Sequence, residues 1–393
     1  MRYFYVILIL FTFSCSPKKS EIITNESCIN RKDYTSIIIP EHYENKLQFD
    51  SIFSFIEAIP LETNSHCLIS SASKVYVSDS LIYILNSRNN LYVFSNSGKF
   101  IQEISRRGKG PGEFLELRDF AVDNTGKIYI LDFLKILEFS KEGKFLTKYK
   151  LENYANDMIR CNPLHFALAG VDNFYIWGGS SNIISNRDKN LFLLYKIDKK
   201  GKIKERYFPI MHKTVGNPNQ FSKFSNHYNL MPWYGNNMIY KVADEEISTK
   251  YYIDFGKYTM KEPVPEEFNN LSKFKFEMDR KYANSIWKIA ETDNWLYFMF
   301  AFQGYMKNVY YSKITNKSFV SVPFPRAKNK IMPWMIDASD GENFYSLIEP
   351  RILLEDLERI DPKTDEYNKW SKMFKNLSTN ENLVILKCKM KKY

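Results

Sequence analysis

Motifs for catalysis and for cofactor binding are missing from this sequence of 393 residues. It has no GxSxG nucleophile motif and no HExxH zinc motif. Gly108-Lys109-Gly110 lacks the GxxxxGK[ST] spacing of a phosphate-binding loop, and it leads into a predicted strand rather than a helix. The sequence therefore predicts no catalytic residue and no cofactor.

Histidine and cysteine are few, and their spacing does not suit a metal site. The five histidines are scattered without ligand spacing: His42, His66, His165, His212 and His227. The five cysteines contain no CxxC pair: Cys15, Cys28, Cys67, Cys161 and Cys388. No metal site is expected. One disulfide among the last four cysteines and buried free thiols both remain open, because the pairing cannot be read from sequence.

Negative charge is also in short supply, with 45 acidic residues against 55 basic ones and a net charge of +10. In a cytosolic protein such a balance would suggest nucleic-acid binding. The N-terminus indicates export, so nucleic acid is not expected as a partner. We expect the basic surface to meet an anionic membrane, a glycan or a protein.

Residues 1–15 predict a lipoprotein signal peptide. Arg2 precedes an apolar run of 11 residues, Tyr3–Phe13, which is too short to span a bilayer and suits a signal-peptide core. The run ends at Ser14-Cys15 and is similar to bacterial lipoprotein signals, which implies that Cys15 becomes the lipidated mature N-terminus. An ordinary secretory signal with an incidental cysteine is the alternative. Residues 16–50 are then a tether and a loose N-terminal segment, before a single domain over residues 51–393.

Aromatic residues are abundant, at 16% of the chain, and Tyr and Phe favour strands. Tyr83, Tyr129 and Tyr175 lie 46 residues apart in both intervals, and each marks a unit of four short β runs separated by turn residues. Four strands in a period of about 40–50 residues are typical of a propeller blade. The first half of the chain therefore predicts three blades.

The second half predicts three further blades with two helical insertions. Asn226–Phe255 supplies most of a fourth blade, Ser285–Pro323 a fifth, and Ile331–Pro350 two strands of a sixth. Glu262–Ala283, with a helix from Glu266, and Arg351–Leu377 have helical apolar spacing and are predicted insertions.

The sixth blade lacks one strand at the C-terminus. Leu383–Lys391 is its predicted third strand, and the early strand Ser51–Glu62 is left unassigned. Pairing the two chain ends would complete the blade and remove the open edges of the ring. The predicted fold is all-β: a six-bladed β-propeller of four-stranded antiparallel blades, with helical insertions and a last blade closed by both termini.

Several short motifs carry a resemblance over roughly Ser51–Lys391. They are Ile59-Pro60-Leu61-Glu62, Arg107-Gly108-Lys109-Gly110-Pro111-Gly112-Glu113-Phe114, Asp119-Phe120, Ile128-Tyr129-Ile130-Leu131-Asp132, Tyr252-Ile253-Asp254-Phe255-Gly256 and Glu381-Asn382-Leu383. With them the chain resembles the six-bladed β-propeller lipoproteins of the Bacteroidota, distant relatives of NHL-repeat propellers. The resemblance implies the fold and an envelope location, and it implies no catalytic residues.

The basic loop, Arg106–Phe114, provides the candidate ligand-binding residues Arg106, Arg107, Lys109 and Glu113. Backbone N–H groups freed by its glycines would form an anion-binding nest beside the arginines. In the alternative interpretation the Gly-Pro-Gly stretch shapes a crossing between blades, and Glu113 pairs with an arginine. We favour the structural interpretation because links between blades need special backbone geometry. In a four-stranded meander, the link from the outer strand of one blade to the inner strand of the next lies on the same face as the turns between second and third strands. The basic loop is the link between blades 1 and 2, so we expect it on that face, near the channel mouth.

Two functions follow from these observations. The first is a non-catalytic binding propeller for a glycan, peptide or protein, exported and tethered by its lipid to the membrane. The expected location is the outer membrane, facing the periplasm, since Lys18 and Lys19 follow the anchor. The alternative is a propeller enzyme, a hydrolase or lyase acting on polymeric substrate outside the cytoplasm. The missing motifs favour the binding protein, and a role in nutrient handling rests on analogy.

Overall fold

The computed structural model describes residues 29–30, 33–43, 52–78, 80–104, 106–151, 163–178, 192–209, 219–244, 246–261, 271–322 and 330–392. The predicted signal peptide with Cys15, the cysteines Cys28 and Cys161, and the predicted helix start at Glu266 lie outside these residues.

The described residues form six sheets. Three strands precede the first blade: β1 (Ile29–Asn30), β2 (Thr35–Ile38) and β3 (Phe53–Pro60). Blade 1 contains β4 (Ala72–Val77), β5 (Leu81–Asn86), β6 (Leu91–Ser95) and β7 (Phe100–Glu103). Blade 2 contains β8 (Leu117–Val122), β9 (Ile128–Asp132), β10 (Lys135–Phe139) and β11 (Phe145–Lys150). Blade 3 contains β12 (Pro163–Ala169), β13 (Asn173–Gly178), β14 (Phe192–Asp198) and β15 (Ile203–Pro209).

The remaining blades follow in chain order. Blade 4 contains β16 (Phe221–Phe224), β17 (His227–Leu230), β18 (Met238–Val242) and β19 (Ile247–Asp254). Blade 5 contains β20 (Asn284–Glu291), β21 (Trp295–Phe302), β22 (Tyr305–Ser312) and β23 (Lys317–Ser321). Blade 6 contains β24 (Ala338–Ser339), β25 (Asn343–Ile348) and β26 (Val384–Met390), with β3 as its outer strand. The six-bladed propeller of four-stranded antiparallel blades is confirmed.

The tyrosines that mark the sequence repeat lie between neighbouring blades. Tyr83, Tyr129 and Tyr175 are all 5% exposed or less. The ring of Tyr83 lies 6.4 Å from that of Phe120 in the next blade, and the ring of Tyr129 lies 6.2 Å from that of Phe174. Because each blade buries both faces of its second strand, one large aromatic side chain per repeat fills the space between sheets.

Both chain ends close the ring, as the sequence predicts. Strand β3 pairs antiparallel with β26, with Ile59 opposite Ile385 and Ile56 opposite Cys388. Ile56 is 2% exposed and Cys388 is fully buried, so this strand completes the core of blade 6 as well as its hydrogen bonds. The outer edge of β26 is therefore not left open.

The segment before this strand runs along the outer rim. Strands β1 and β2 pair parallel with β19 and extend blade 4. At the end of β2, the carbonyl of Ile38 accepts a hydrogen bond of 2.9 Å from Ser318 in blade 5. Ile37 and Ile39 are 0% and 6% exposed, so the segment packs on the sheets.

Helices lie in the two predicted insertions: α1 (Leu271–Lys281), α2 (Pro350–Leu357) and α3 (Asp365–Met373). Trp370 of α3 is fully buried beside Phe374, in the cluster that also holds Ile56 of β3. Lys369 donates to the backbone carbonyl of Ile56 over 3.0 Å, so α3 covers the closing strand. Within the described ranges, no helix has the length and apolar character needed to cross a membrane.

Candidate ligand-binding site at the channel mouth

The first strand of each blade faces a central channel. Its narrow part is lined from five blades and has a volume of about 60 Å³, room for only a few water molecules. Lys74, Lys223 and Lys288 are the cations of this lining, from blades 1, 4 and 5. The narrow part is therefore too small for a ligand of more than a few atoms.

Two of these lysines are neutralised by a carboxylate from the next blade. Lys74 Nζ lies 2.6 Å from Asp119 Oδ1, and Lys288 forms a close ion pair with Asp337. His165 Nδ1 of blade 3 lies 3.6 Å from Asp119 Oδ2. Burial alone would raise the pKa of Asp119, but Lys74 and His165 outweigh it and hold the pKa below its ordinary value. These contacts tie adjacent blades together.

The channel widens to a mouth of about 430 Å³, within the range of small-molecule sites. We call this side the turn face, because the turns after the inner strands of blades 1, 2, 4 and 6 form the mouth. The lining is rich in hydroxyl, amide and aromatic groups. It includes Tyr76, Ser78, Ser80, Tyr83, Asn124, Thr125, Lys141, Lys223, Phe224, Ser225 and Ser339.

Lys223 forms the floor of the mouth. From β16 in blade 4 its Nζ donates to the Val122 carbonyl over 2.9 Å and to Asn124 Oδ1 over 3.1 Å, both in blade 2. It also lies 5.4 Å from the Tyr76 ring. Burial lowers the pKa of Lys223 below that of an ordinary lysine, with Asp123 partly opposing the shift. Among the described residues, no carboxylate lies within ion-pair distance of its Nζ.

The two carboxylates in the lining are engaged in their own turns. Asp123 Oδ1 accepts hydrogen bonds from Thr125 N over 2.8 Å and from Lys127 N over 3.0 Å. Asp340 Oδ1 accepts from the backbone of Glu342 and Asn343 over 2.9 and 2.7 Å. Such Asx turns fix the loops of the mouth on rigid strands. The carboxylates therefore shape the mouth, and Asp123 stabilises the charge of Lys223 only from beyond ion-pair distance.

The basic loop of the sequence analysis folds around Glu113. Its carboxylate accepts from Arg106 Nε over 3.0 Å and from Gly110 N over 2.8 Å. A Cβ on Gly108 would lie 2.0 Å from Glu113 Oε2, so a larger residue there would displace the carboxylate from this position. The pKa of Glu113 is lowered first by the Gly110 N–H and then by Arg106. The carboxylate of Glu113 therefore accepts from one of the backbone N–H groups that the sequence analysis considered as a nest for a bound anion.

Part of the basic loop lies beside the outer strands of blade 2, away from the mouth on the turn face. Arg106, Gly112 and Glu113 line a depression at the rim, together with Phe139 and Phe145 of the outer strands of blade 2. Because a blade twists from its inner to its outer strand, the outer strand of blade 2 swings towards the link that follows blade 1. Gly112 shows the closeness, since a Cβ on it would lie 2.7 Å from Phe145 Cβ.

Arg107 and Lys109 contribute to this loop without reaching the mouth. Arg107 bridges to Phe114 in the backbone and lines a small depression beside Asn89 and Asn90. Ligand binding by Arg106, Arg107, Lys109 and Glu113 stays a prediction, on a surface separate from the mouth.

A buried ionic cluster lies next to the mouth, between blades 4 and 5. Glu291, whose side chain is 1% exposed, lies 2.6 Å from both Lys250 Nζ and Lys313 Nζ. Asn229 and Tyr251 also donate to its carboxylate, over 2.7 and 2.8 Å. Burial alone would raise the pKa of Glu291, but the two lysines hold it below its ordinary value. Burial lowers the pKa of Lys250 to about 8.

This cluster supports the mouth through one aromatic ring. Lys250 and Lys313 lie 5.2 and 4.6 Å from the ring of Phe224, which lines the mouth. His227 Nε2 lies 2.7 Å from Lys250 Nζ, and burial followed by the Lys250 charge lowers the pKa of His227 to about 4. Sequence reasoning missed this cluster because its members come from different blades with no fixed spacing.

Candidate metal ligands and cysteine thiols are placed by the structure in the described ranges only. In the ranges that the structure describes, no group of three or more His, Cys, Asp or Glu side chains is placed to hold a metal ion. Cys67 and Cys388 are buried free thiols, while Cys28 and Cys161 lie outside the described ranges.

Six four-stranded blades around a channel, with a polar mouth on one face, define a six-bladed β-propeller. The chain belongs to the family described as a domain of unknown function, DUF4934, whose model matches residues 34–389. No curated protein matches the sequence.

Solved structures share this fold. The crystal structure of a Bacteroides fragilis protein inferred to be exported has a TM-score of 0.73 at 19% identity, covering 91% of this chain and 100% of that chain. A protein of unknown function from Bacteroides caccae has a TM-score of 0.35 at 11% identity, covering 61% of this chain and 77% of that chain. Apo AztD from Citrobacter koseri has a TM-score of 0.36 at 11% identity, covering 70% of this chain and 68% of that chain. The first similarity shows the fold, and the other two scores are too low to support an argument.

Proposed function

We propose that this protein is an exported, lipid-anchored binding propeller of the cell envelope, which holds a glycan, peptide or protein at the mouth on its turn face. The observation that carries the proposal is a mouth of about 430 Å³ built from turns of four blades, with Lys223 at its floor and no ion-pair partner for this lysine among the described residues. Rigid sheets hold such converging loops in place, as binding sites require. A kinship with NHL-repeat propellers is part of the same proposal.

The enzyme alternative, a hydrolase or lyase, finds less support at the mouth. Acid–base catalysis needs a titratable group free to reach the substrate. Asp123 and Asp340, the carboxylates of the lining, are each held by two or more hydrogen bonds in their own turns. Binding without chemistry is therefore the function that this geometry favours.

Blocking the mouth is expected to abolish ligand binding. Ser80 and Thr125 are exposed residues of its rim, so Ser80→Trp with Thr125→Trp fills the opening without entering the core. Wild type and this double variant are compared on arrays of glycans and peptides, and the variant should lose the signals of wild type. Ser97→Trp, in an exposed turn of blade 1 outside the mouth lining, is the control and should keep them.

A variant of the basic loop tests whether the ligand binds there instead of at the mouth. Arg106→Ala with Arg107→Ala removes two cations at the rim and leaves the mouth unchanged. If this variant loses binding while the blocked variant keeps it, the ligand binds at the loop and the proposed site is wrong. If the mouth is the site, affinity should change little in the loop variant, because Arg106 is an exposed side chain that pairs with Glu113.

Lipid attachment is tested at Cys15, which lies outside the described residues. Two features support the proposal, the apolar run before Cys15 and the export inferred for the structurally similar Bacteroides fragilis protein. We expect Cys15→Ala to move the protein from the membrane fraction to the soluble fraction. Intact mass of the mature wild type should show an acylated cysteine at the N-terminus. A free Cys15 thiol, or cleavage at another position, would contradict the anchor.

A further inference from the structure

We infer that the ligand of the mouth is an acidic oligosaccharide, whose carboxylate or sulfate group contacts Lys223. This inference rests on the proposed function and names the ligand class for the same site. Three features of the mouth support it: a cation at the floor without an ion-pair partner among the described residues, a hydroxyl-rich wall, and aromatic rings beside both.

The charge of Lys223 is available to a ligand. An ammonium has three donors, and Lys223 uses two of them on Val122 O and Asn124 Oδ1, which are both neutral acceptors. Lys74 and Lys288, the other lysines of the channel lining, are each paired with an aspartate. A partly buried positive charge is costly to leave without a counter-charge, so an anion entering the mouth would be favoured by charge and by the remaining N–H donor.

The wall of the mouth suits a sugar better than a peptide. Hydroxyl groups come from Ser78, Ser80, Thr125, Ser225 and Ser339. Those of Ser78, Thr125 and Ser339 donate to acceptors within the protein, and their oxygens can still accept from a ligand. Hydroxyls both donate and accept, which matches the mixed hydrogen bonding of a carbohydrate. A bound peptide strand would normally pair with an open sheet edge. The inner strands are edge strands of their blades, but their open edges face the narrow part of the channel, which has no room for a peptide strand, and the mouth itself is built from turns.

Aromatic rings lie next to the cation and the hydroxyls. Tyr76 and Phe224 line the mouth, and the Tyr76 ring lies 5.4 Å from Lys223 Nζ. The apolar body of an aromatic ring can contact the C–H face of a sugar, while Lys223 contacts its charged substituent. This combination selects a sugar that carries a negative charge.

Titration calorimetry on the full mature chain tests the ligand class directly. The probes are hexagalacturonate, a sulfated hexasaccharide and the neutral hexagalactose. We expect at least one acidic probe to bind at least about tenfold more tightly than the neutral one, the effect of one charge-assisted contact. Binding of the sulfated probe but not the uronate, or the reverse, identifies the anionic group. Equal affinity for all three, or no binding of either acidic probe at millimolar concentration, would overturn the inference.

Two variants address Lys223 itself. Lys223→Met removes the charge at similar length and should weaken the acidic probe about tenfold or more. Asn124→Asp is nearly the same shape and places a carboxylate on the atom 3.1 Å from Nζ, so it should neutralise the lysine with an equal loss and no loss of fold. Lys144→Met, an exposed lysine three positions from Lys141 and outside the mouth lining, is the matched control and should bind as wild type. Unchanged affinity in both site variants would refute the role of Lys223.

The outcome also separates this inference from the proposed function. If the blocked variant with Ser80→Trp and Thr125→Trp loses peptide or neutral-glycan signals, but acidic probes never bind, the mouth is a site and only the ligand class is wrong. If acidic probes bind equally to wild type and to the blocked variant, both the proposed site and the inference fail.

Discussion

Deletion of residues 21–62 is expected to convert the folded protein into aggregates. The deletion removes β3, and Ile52, Phe53, Ile56, Ile59 and Leu61 of that region are all 8% exposed or less. Burial of one such side chain is worth about 1.5–3 kcal/mol, so five account for roughly 10 kcal/mol, close to the whole stability of a typical domain. The loss also opens the edge of β26, a strand of mostly buried residues and a template for pairing with other chains.

Size-exclusion chromatography and thermal unfolding measure this effect. A truncated protein that stays monomeric and keeps its melting temperature would contradict the role of the N-terminal strand. A synthetic peptide of residues 51–62, added during refolding, should restore solubility by taking the place of β3 beside β26. The matched control is the same peptide with Ile56→Asp and Ile59→Asp, which places charges at two buried positions and should not restore it.

Glu291→Gln is expected to destabilise the protein by about 3–5 kcal/mol, the usual cost of removing one partner from a buried ion pair. The substitution leaves Lys250 and Lys313 without their carboxylate, in a place where their side chains are 16% and 21% exposed. Urea unfolding monitored by tryptophan fluorescence gives the free energy of unfolding. Glu142→Gln is the control, because Glu142 and its partner Lys141 are both more than 60% exposed and such pairs contribute about 0–1 kcal/mol.

Two further measurements separate charge from packing at Glu291. Combining Glu291→Met with Lys250→Met and Lys313→Met removes the anion and both cations, and should recover much of the loss. A triple variant less stable than Glu291→Gln would show that geometry, rather than unpaired charge, causes the effect.

Because the pKa of Glu291 is lowered in the folded protein, its stabilisation is present above the unfolded pKa of about 4.3 and is lost as pH falls through the folded pKa. Glu291→Gln should therefore remove part of the acid sensitivity.

The fold could be predicted where local patterns repeat. Tyr83, Tyr129 and Tyr175 recur at blade spacing because each fills the gap to the next sheet, and this periodicity is visible in one sequence. Closure by β3 followed from counting strands, since a blade with three strands leaves an edge to be paired. The ion pair of Glu113 with Arg106 could also be predicted from the sequence, because both residues lie in one short loop.

The site could not be predicted because its contacts join distant parts of the chain. Lys223 reaches Val122 and Asn124 in a blade that is not its neighbour, and no spacing in the sequence reports that distance. Glu291 likewise gathers lysines from two different blades. The basic loop was conspicuous in sequence for a local reason, its glycines around Glu113, and its rim position depends on blade twist, which a strand count does not contain.

The pairing of β3 with β26 also sets an order for folding. Ser54 donates to the carbonyl of Lys389, a partner 335 positions further along the chain. A ribosome releases β3 before the strands of blades 1 to 5 and β26 after them, so we expect these blades to start forming while β3 is unpaired. Contacts of such long sequence separation slow folding, because the loop-closure entropy must be overcome before they stabilise anything. We therefore expect docking of β3 to be a late step, which converts an open arc of blades into a ring.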